Sequence, residues 1–148
     1  MLFAEMVCYY TDQNISIFDK LQQLFEQYGY FVESSVSIAF KGLDGMQKMS
    51  DIMNSFHNQN LQSIAGVEVV AKIDLEKGVT TWSNGNVTPC NLPTTNVVKY
   101  DLGNDEWLCV RPSGTEPKLK IYVSTCEKTK QLSMDKNKKL QDAIKAMI

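Results

Sequence analysis

The sequence has no excess of positive charge: 15 Lys and Arg stand against 17 Asp and Glu, a formal net charge of −2. Nucleic acids and anionic membranes call for a clustered basic surface, so neither is expected as a partner, and any anion site must be local. Cysteine is also scarce. Cys8, Cys90, Cys109 and Cys126 stand far apart, and none forms the close pairs used by zinc sites and redox dithiols. They read as reduced thiols in the core of a cytoplasmic protein. No basic leader precedes an apolar stretch in Met1-Leu2-Phe3-Ala4-Glu5, so no export signal is read. Without one, the matches Asn14-Ile15-Ser16 and Asn86-Val87-Thr88 to the glycosylation pattern are read as accidental. The uncharged run from Ile52 to Val67 is studded with Asn, Gln, Ser and His57, too polar to cross a bilayer. His57 is the only histidine. Lying at a polar helix end, it reads as solvated or packing rather than catalytic.

What is present fits one ordinary core. A chain of 148 residues, 43% hydrophobic, has room for one domain with an appended piece. Met1 to Tyr10 is apolar on almost every side and has no capping residue before it, which predicts a helix buried on most faces. Thr11 to Asn14 turns the chain. Ile17, Leu21, Leu24, Phe25 and Tyr28 then mark a second helix, stopped by Gly29. Tyr30 to Phe40 reads as an extended connector strand with Val32, Val36, Ile38 and Phe40 on one side. Leu43, Met46, Met49, Met53 and Phe56 mark the core face of a helix ending near Asn58.

Further on, Val67, Val69, Ala71, Ile73 and Leu75 alternate as a half-buried strand. Residues 76–96, with Asn84-Gly85-Asn86, Pro89 and Pro93, read as a long loop. Val97 to Leu102 and Trp107 to Val110 read as a hairpin turning at Gly103-Asn104. Leu119, Ile121 and Val123 give another alternating strand. Ser133 is placed to cap a last helix that buries Leu140, Ala143, Ile144 and Met147. The fold class is α+β: a small antiparallel sheet of about four strands with helices on one face, preceded by a short helical segment. Residues 1–30, two short helices, do not make a domain alone and are expected to pack on something larger; 31–41 is the connector, and 42–148 forms the main domain.

One stretch is unlike average loop sequence: Arg111-Pro112-Ser113-Gly114-Thr115-Glu116-Pro117-Lys118. It joins two apolar strands that would hold it out at a sheet edge. The Arg111 guanidinium is a planar fork for two phosphate oxygens, and Ser113 and Thr115 add hydroxyl donors. Gly114 leaves nearby backbone N–H groups open to an anion. Pro112 and Pro117 limit the entropy lost on binding. Arg111, Lys118 and Lys120 against Glu116 make the neighbourhood locally positive. The loop is not the nucleotide P-loop, because a strand rather than a helix follows. Ser113 has no general base nearby in sequence to make it a nucleophile.

This motif and the alternating strand after it resemble the phosphate-binding loop of the α-D-phosphohexomutases, the phosphoglucomutase/phosphomannomutase superfamily. Asn96-Val97-Val98-Lys99-Tyr100 and Trp107 ahead of the loop also resemble that family's last domain, and Phe3-Ala4-Glu5-Met6 through Tyr28-Gly29-Tyr30 is similar to the end of its third domain. The resemblance implies a fourth domain of TATA-binding-protein-like fold in which Arg111, Ser113, Gly114, Thr115 and Lys118 hold the substrate phosphate that is not reacting. It implies a four-domain parent that interconverts glucose 1-phosphate and glucose 6-phosphate through a bisphosphate. The phosphoserine and Mg2+ of that reaction belong to domains absent from these residues, as does the sugar-reading loop. The chain is therefore expected to be the C-terminal portion of such an enzyme, with Met1 in place of the upstream chain, no catalytic residue and no cofactor of its own, and no activity alone. Its expected partners are a hexose phosphate or bisphosphate and the other domains of the parent. The first 60 residues resemble the longer phosphoglucomutase branch; a phosphomannomutase portion and a stand-alone phosphosugar-binding module are the alternatives.

Overall fold

A computed structural model of the chain describes all of Met1–Ile148. Its elements in chain order are α1 (Leu2–Thr11), α2 (Ile17–Tyr28), β1 (Tyr30–Ala39), α3 (Gly45–Asn58), β2 (Ser63–Ile64), β3 (Val67–Glu68), β4 (Ala71–Asp74), β5 (Val79–Trp82), β6 (Val87–Pro89), β7 (Val98–Gly103), β8 (Glu106–Pro112), β9 (Lys118–Glu127) and α4 (Lys130–Lys145). Seven strands form one antiparallel sheet in the order β1-β9-β8-β7-β4-β5-β6, and β2-β3 is a separate small ribbon. The α+β class is as expected. The sheet is wider than about four strands because β1 lengthens one side and β5-β6 the other.

Strand parity decides which face is buried. Val98, Tyr100 and Leu102 of β7, Leu108 and Val110 of β8, and Leu119, Ile121 and Val123 of β9 form one core with Met49, Met53 and Phe56 of α3 and Leu140 and Ile144 of α4. Alternate residues of these strands lie on the other face, which no helix of the chain covers. The segment expected as a connector is β1. It pairs with β9 from Tyr30↔Glu127 to Ala39↔Lys118 and turns Val36, Ile38 and Phe40 toward the core. Asn137 of α4 pins β1 in place, donating from Nδ2 to the Val32 carbonyl at 2.9 Å.

Several local expectations are corrected. The 67–75 alternation is broken at Val69–Val70, where the chain passes from the small ribbon to the main sheet; beyond it Lys72 and Asp74, not Ile73, are buried. Hydrogen bonds to the end of α3 make that burial tolerable. Residues 76–96 are not all loop, since β5 and β6 form a hairpin within them. The β7–β8 turn is Asn104–Asp105, both at positive φ, and Gly103 lies inside a register shift. This is the two-residue hairpin geometry with its turn one position later than expected.

Thr129, not Ser133, caps α4: its hydroxyl accepts the Leu132 N–H at 3.3 Å. Ser133 is buried instead, donating to the Thr125 carbonyl at 3.0 Å. Met46, Leu43 and Met147 are exposed. The four thiols are free but not core, with Cys8 exposed and the others half-buried. Helix α1 has no buried residue in this chain, and Leu2 and Phe3 are exposed. By contrast α2 starts at a capping box, with Ser16 and Asp19 capping each other reciprocally. No helix is long and apolar enough to cross a membrane.

Candidate functional site

The singled-out motif spans the end of β8, a tight loop and the start of β9. Arg111 and Pro112 close β8, and Lys118 opens β9. The Ser113 N–H donates to the Lys118 carbonyl at 2.8 Å, and the Lys118 N–H donates to Glu116 at 2.7 Å. From outside, the Phe40 N–H donates to the Pro117 carbonyl at 2.8 Å. Helix α3 begins against the same spot: a Cβ added at Gly45 would lie 2.6 Å from the Phe40 oxygen and 3.3 Å from the Pro117 Cβ. The loop base is thus held on three sides.

Its tip is left free. Gly114, Thr115 and Glu116 are exposed, and a Cβ at Gly114 would meet nothing. The hydroxyls of Ser113 and Thr115 have no partner in the chain, and the N–H groups of Gly114, Thr115 and Glu116 donate to none of its atoms. Unengaged amides grouped in a tight turn suit an anion.

Arg111 is exposed and makes no ion pair. Its guanidinium carbon lies 5.9 Å from the centre of the Tyr122 ring, a cation–π contact that steadies the fork without neutralising it. Lys118 is placed differently, its Nζ lying 2.8 Å from Glu116 Oε2. That hydrogen bond, with the Lys118 charge, holds the Glu116 carboxyl below its usual value. Arg111, Ser113, Gly114 and Thr115 are thus unengaged donors within one short segment, while Lys118 is engaged within the loop.

Sequence reasoning counted Lys120 in the local charge but did not place it in the site. The register does: Arg111↔Lys120 are direct partners, so both occupy the uncovered face, and Lys120 has no ion-pair partner. The signal was in the alternation of β9, where Leu119 and Ile121 point to the core and Lys120 away from it.

His57 is neither solvated nor part of this loop. It is 5% exposed, with Nδ1 2.9 Å from Asp74 Oδ2 and Nε2 2.8 Å from Glu76 and 3.0 Å from Asn96 Oδ1. Lys72 Nζ donates to the carbonyls of His57 and Gln59, both at 2.8 Å, and Lys77 Nζ donates to the His57 carbonyl at 2.7 Å. Two cations thus satisfy the carbonyl end of α3. Burial alone would raise the Asp74 pKa, but hydrogen bonds from His57 and the Lys77 amide, with the charges of His57 and Lys72, hold it below its usual value. The cluster fastens a helix end to the sheet. No three His, Cys, Asp or Glu side chains are grouped to hold a metal ion.

The chain is similar to known proteins. The family described as phosphoglucomutase/phosphomannomutase, C-terminal domain, matches residues 53–136, more than half of the chain. A phosphoglucomutase of Staphylococcus saprophyticus is 34% identical over 115 residues, covering 76% of this chain and 21% of that protein. One from Staphylococcus epidermidis is 36% identical over 107 residues, covering 72% and 19%. A solved structure of Paramecium parafusin, a phosphoglucomutase in its open form, has 16% identity and a TM-score of 0.49 over 93% of this chain and 24% of that one. The chain spans about a fifth of the length of the curated relatives it matches. With the matched residues running from the middle of α3 through the whole Arg111–Lys118 loop into α4, the chain belongs to the phosphoglucomutase/phosphomannomutase family and carries its C-terminal domain.

Proposed function

We propose that this chain is the C-terminal portion of a phosphoglucomutase-type enzyme acting in the cytoplasm, and that its β8–β9 loop grips the phosphate of a hexose phosphate that is not being transferred. The observation that carries this reading is an unpaired Arg111 beside a rigidly based loop whose hydroxyls and amides are unengaged. Arg111 takes two phosphate oxygens, Ser113 and Thr115 donate their hydroxyls, and Gly114 lets the ligand approach the backbone. Lys118 contributes charge at longer range.

Such a grip is remote from the bond being made. Its binding energy orients the sugar and draws the domain over the cleft, where exclusion of water favours phosphoryl transfer. The same grip serves both half-reactions if the bisphosphate turns over between them. The phosphoserine and Mg2+ belong, on this reading, to parts of the parent polypeptide outside these residues. Residues 1–30, with their exposed Leu2, Phe3 and Phe18, are the helical tail of the preceding, third domain of that parent. The chain alone has no mutase activity.

Titration with glucose 1,6-bisphosphate while following backbone amide NMR shifts tests the reading. Shifts confined to residues 111–120 and abolished in Arg111→Ala support it. Shifts that persist in that variant, or none at millimolar ligand, refute it; so does mutase turnover by the chain purified free of host enzyme.

A further inference from the structure

The register sorts the uncovered face into rows. Nearest the loop lies the row Arg111–Lys120–Ser37; next comes Lys99–Cys109–Tyr122–Ser35; then Asp101–Trp107–Ser124–Glu33. Adjacent rows are one pleat repeat apart, about 6.8 Å. The first two rows carry three cations and no anion, although the chain as a whole is acidic. Lys99, Arg111 and Lys120 have no ion-pair partner. Two rest on aromatic rings, Lys99 Nζ 5.2 Å from the Trp107 centroid and Arg111 on Tyr122. Lys99, the cross-strand partner of Cys109, and Arg111, two residues along the same strand, both border the Cys109 thiol, and their charges pull its pKa down against the larger upward push of burial.

One loop needs few cations for one phosphate. We infer that the open face continues the loop's grip as a second anion station, in which Lys99, with Arg111 and Lys120, takes the second phosphoryl group of a diphosphate ester. The third row says which way the ester lies. A groove of about 250 Å³ straddles the second and third rows between Trp107 and Tyr122, bordered by Glu33, Ser34, Ser35 and Val123. The carboxylates of Asp101 and Glu33 repel phosphate from that end, whereas aromatic walls with a hydroxyl and a carboxylate suit a flat or hydroxylated ring. The ligand class is thus a nucleoside diphosphate, with phosphates toward the loop and its organic part toward Trp107. The station shares Arg111 with the phosphate grip and rests on that reading to this extent.

The test uses the full chain with orthophosphate, pyrophosphate and UDP as separate probes, in the wild type and in Lys99→Gln, whose fold is checked by circular dichroism. Three readouts are taken: amide shifts at residues 113–118, Trp fluorescence, and the alkylation rate of Cys109 resolved by mass spectrometry with exposed Cys8 as internal control. Pyrophosphate is expected to bind about tenfold more tightly than orthophosphate and to slow Cys109 alkylation, with both gains lost in Lys99→Gln, the scale of one charge-assisted contact. UDP is expected to bind at least as tightly as pyrophosphate and to quench emission that disappears in Trp107→Phe. If orthophosphate shifts the loop amides but Lys99→Gln leaves pyrophosphate binding unchanged, the second station is wrong and the phosphate grip stands. If orthophosphate shifts none of those amides, the grip itself is wrong. UDP weaker than pyrophosphate, or without effect on Trp107, overturns the ester assignment.

Discussion

Arg111 and Lys120 face each other across the β8–β9 pair, both on the sheet face that no helix covers, and neither is neutralised by a carboxylate. Lys118, nearer the loop in sequence, is bound to Glu116. The two lysines are therefore expected to differ. Lys120→Ala should weaken phosphate binding more than Lys118→Ala, by about 0.5–1.5 kcal/mol, the size of an ordinary net hydrogen bond. Isothermal titration of the two variants with the same sugar phosphate measures the difference; equal losses would show that the Glu116 contact does not withhold Lys118.

Arg111 itself is expected to be worth more. Arg111→Ala should cost roughly 1.5–3 kcal/mol of phosphate affinity, and Arg111→Lys should recover only part of it because a point charge replaces a planar fork. Full recovery by lysine would mean that charge alone matters at this position.

Tyr122 offers a separate check on how that fork is held. If the ring steadies the guanidinium, Tyr122→Phe should bind phosphate like wild type, while Tyr122→Leu should lose about 0.5–1 kcal/mol. Equal affinity in the leucine variant would show the contact at 5.9 Å to be incidental.

Gly45 links the loop to the core. A methyl group there would meet the Phe40 carbonyl at 2.6 Å and the Pro117 side chain at 3.3 Å, so Gly45→Ala should destabilise the fold by about 1–3 kcal/mol through overpacking. Amide shifts at residues 113–117 should move with it. Unchanged urea unfolding would show that α3 shifts away without cost.

Much of this arrangement could be read from residue order, and the failures have physical causes. The ten-residue alternation of β1 and the hairpin of β7 and β8 were legible because each buries one face against α3 and α4. The candidate loop could be singled out because its donors are local in sequence. The reading of 67–75 failed because burial of Lys72 and Asp74 depends on carbonyls at the end of α3 and on His57, all more than ten residues away. Ser133 looked like a cap because nothing local revealed that Thr125 would need its hydroxyl. Lys120 was undervalued because its role is set by a cross-strand partner, a relation that only the register supplies.

The His57–Asp74 contact gives a pH dependence. The folded-state pKa of Asp74 lies below its usual value of 3.8, so its contribution to stability is fully present above that value and is lost as pH falls through the lower folded value. Asp74→Asn should therefore lower stability by about 1–3 kcal/mol at pH 5–7, and the gap to wild type should close progressively below about pH 4. Urea unfolding of both proteins across this range measures it; a gap that widens in acid would contradict the sign.

The most direct measurement is a crystal structure of the chain with glucose 1,6-bisphosphate bound. The result expected is one phosphate at the tip of the β8–β9 loop, within hydrogen-bonding distance of the Arg111 guanidinium, the Ser113 and Thr115 hydroxyls and the amides around Gly114. An ordered bisphosphate seated elsewhere, with Arg111 and the loop untouched, would contradict the proposed grip.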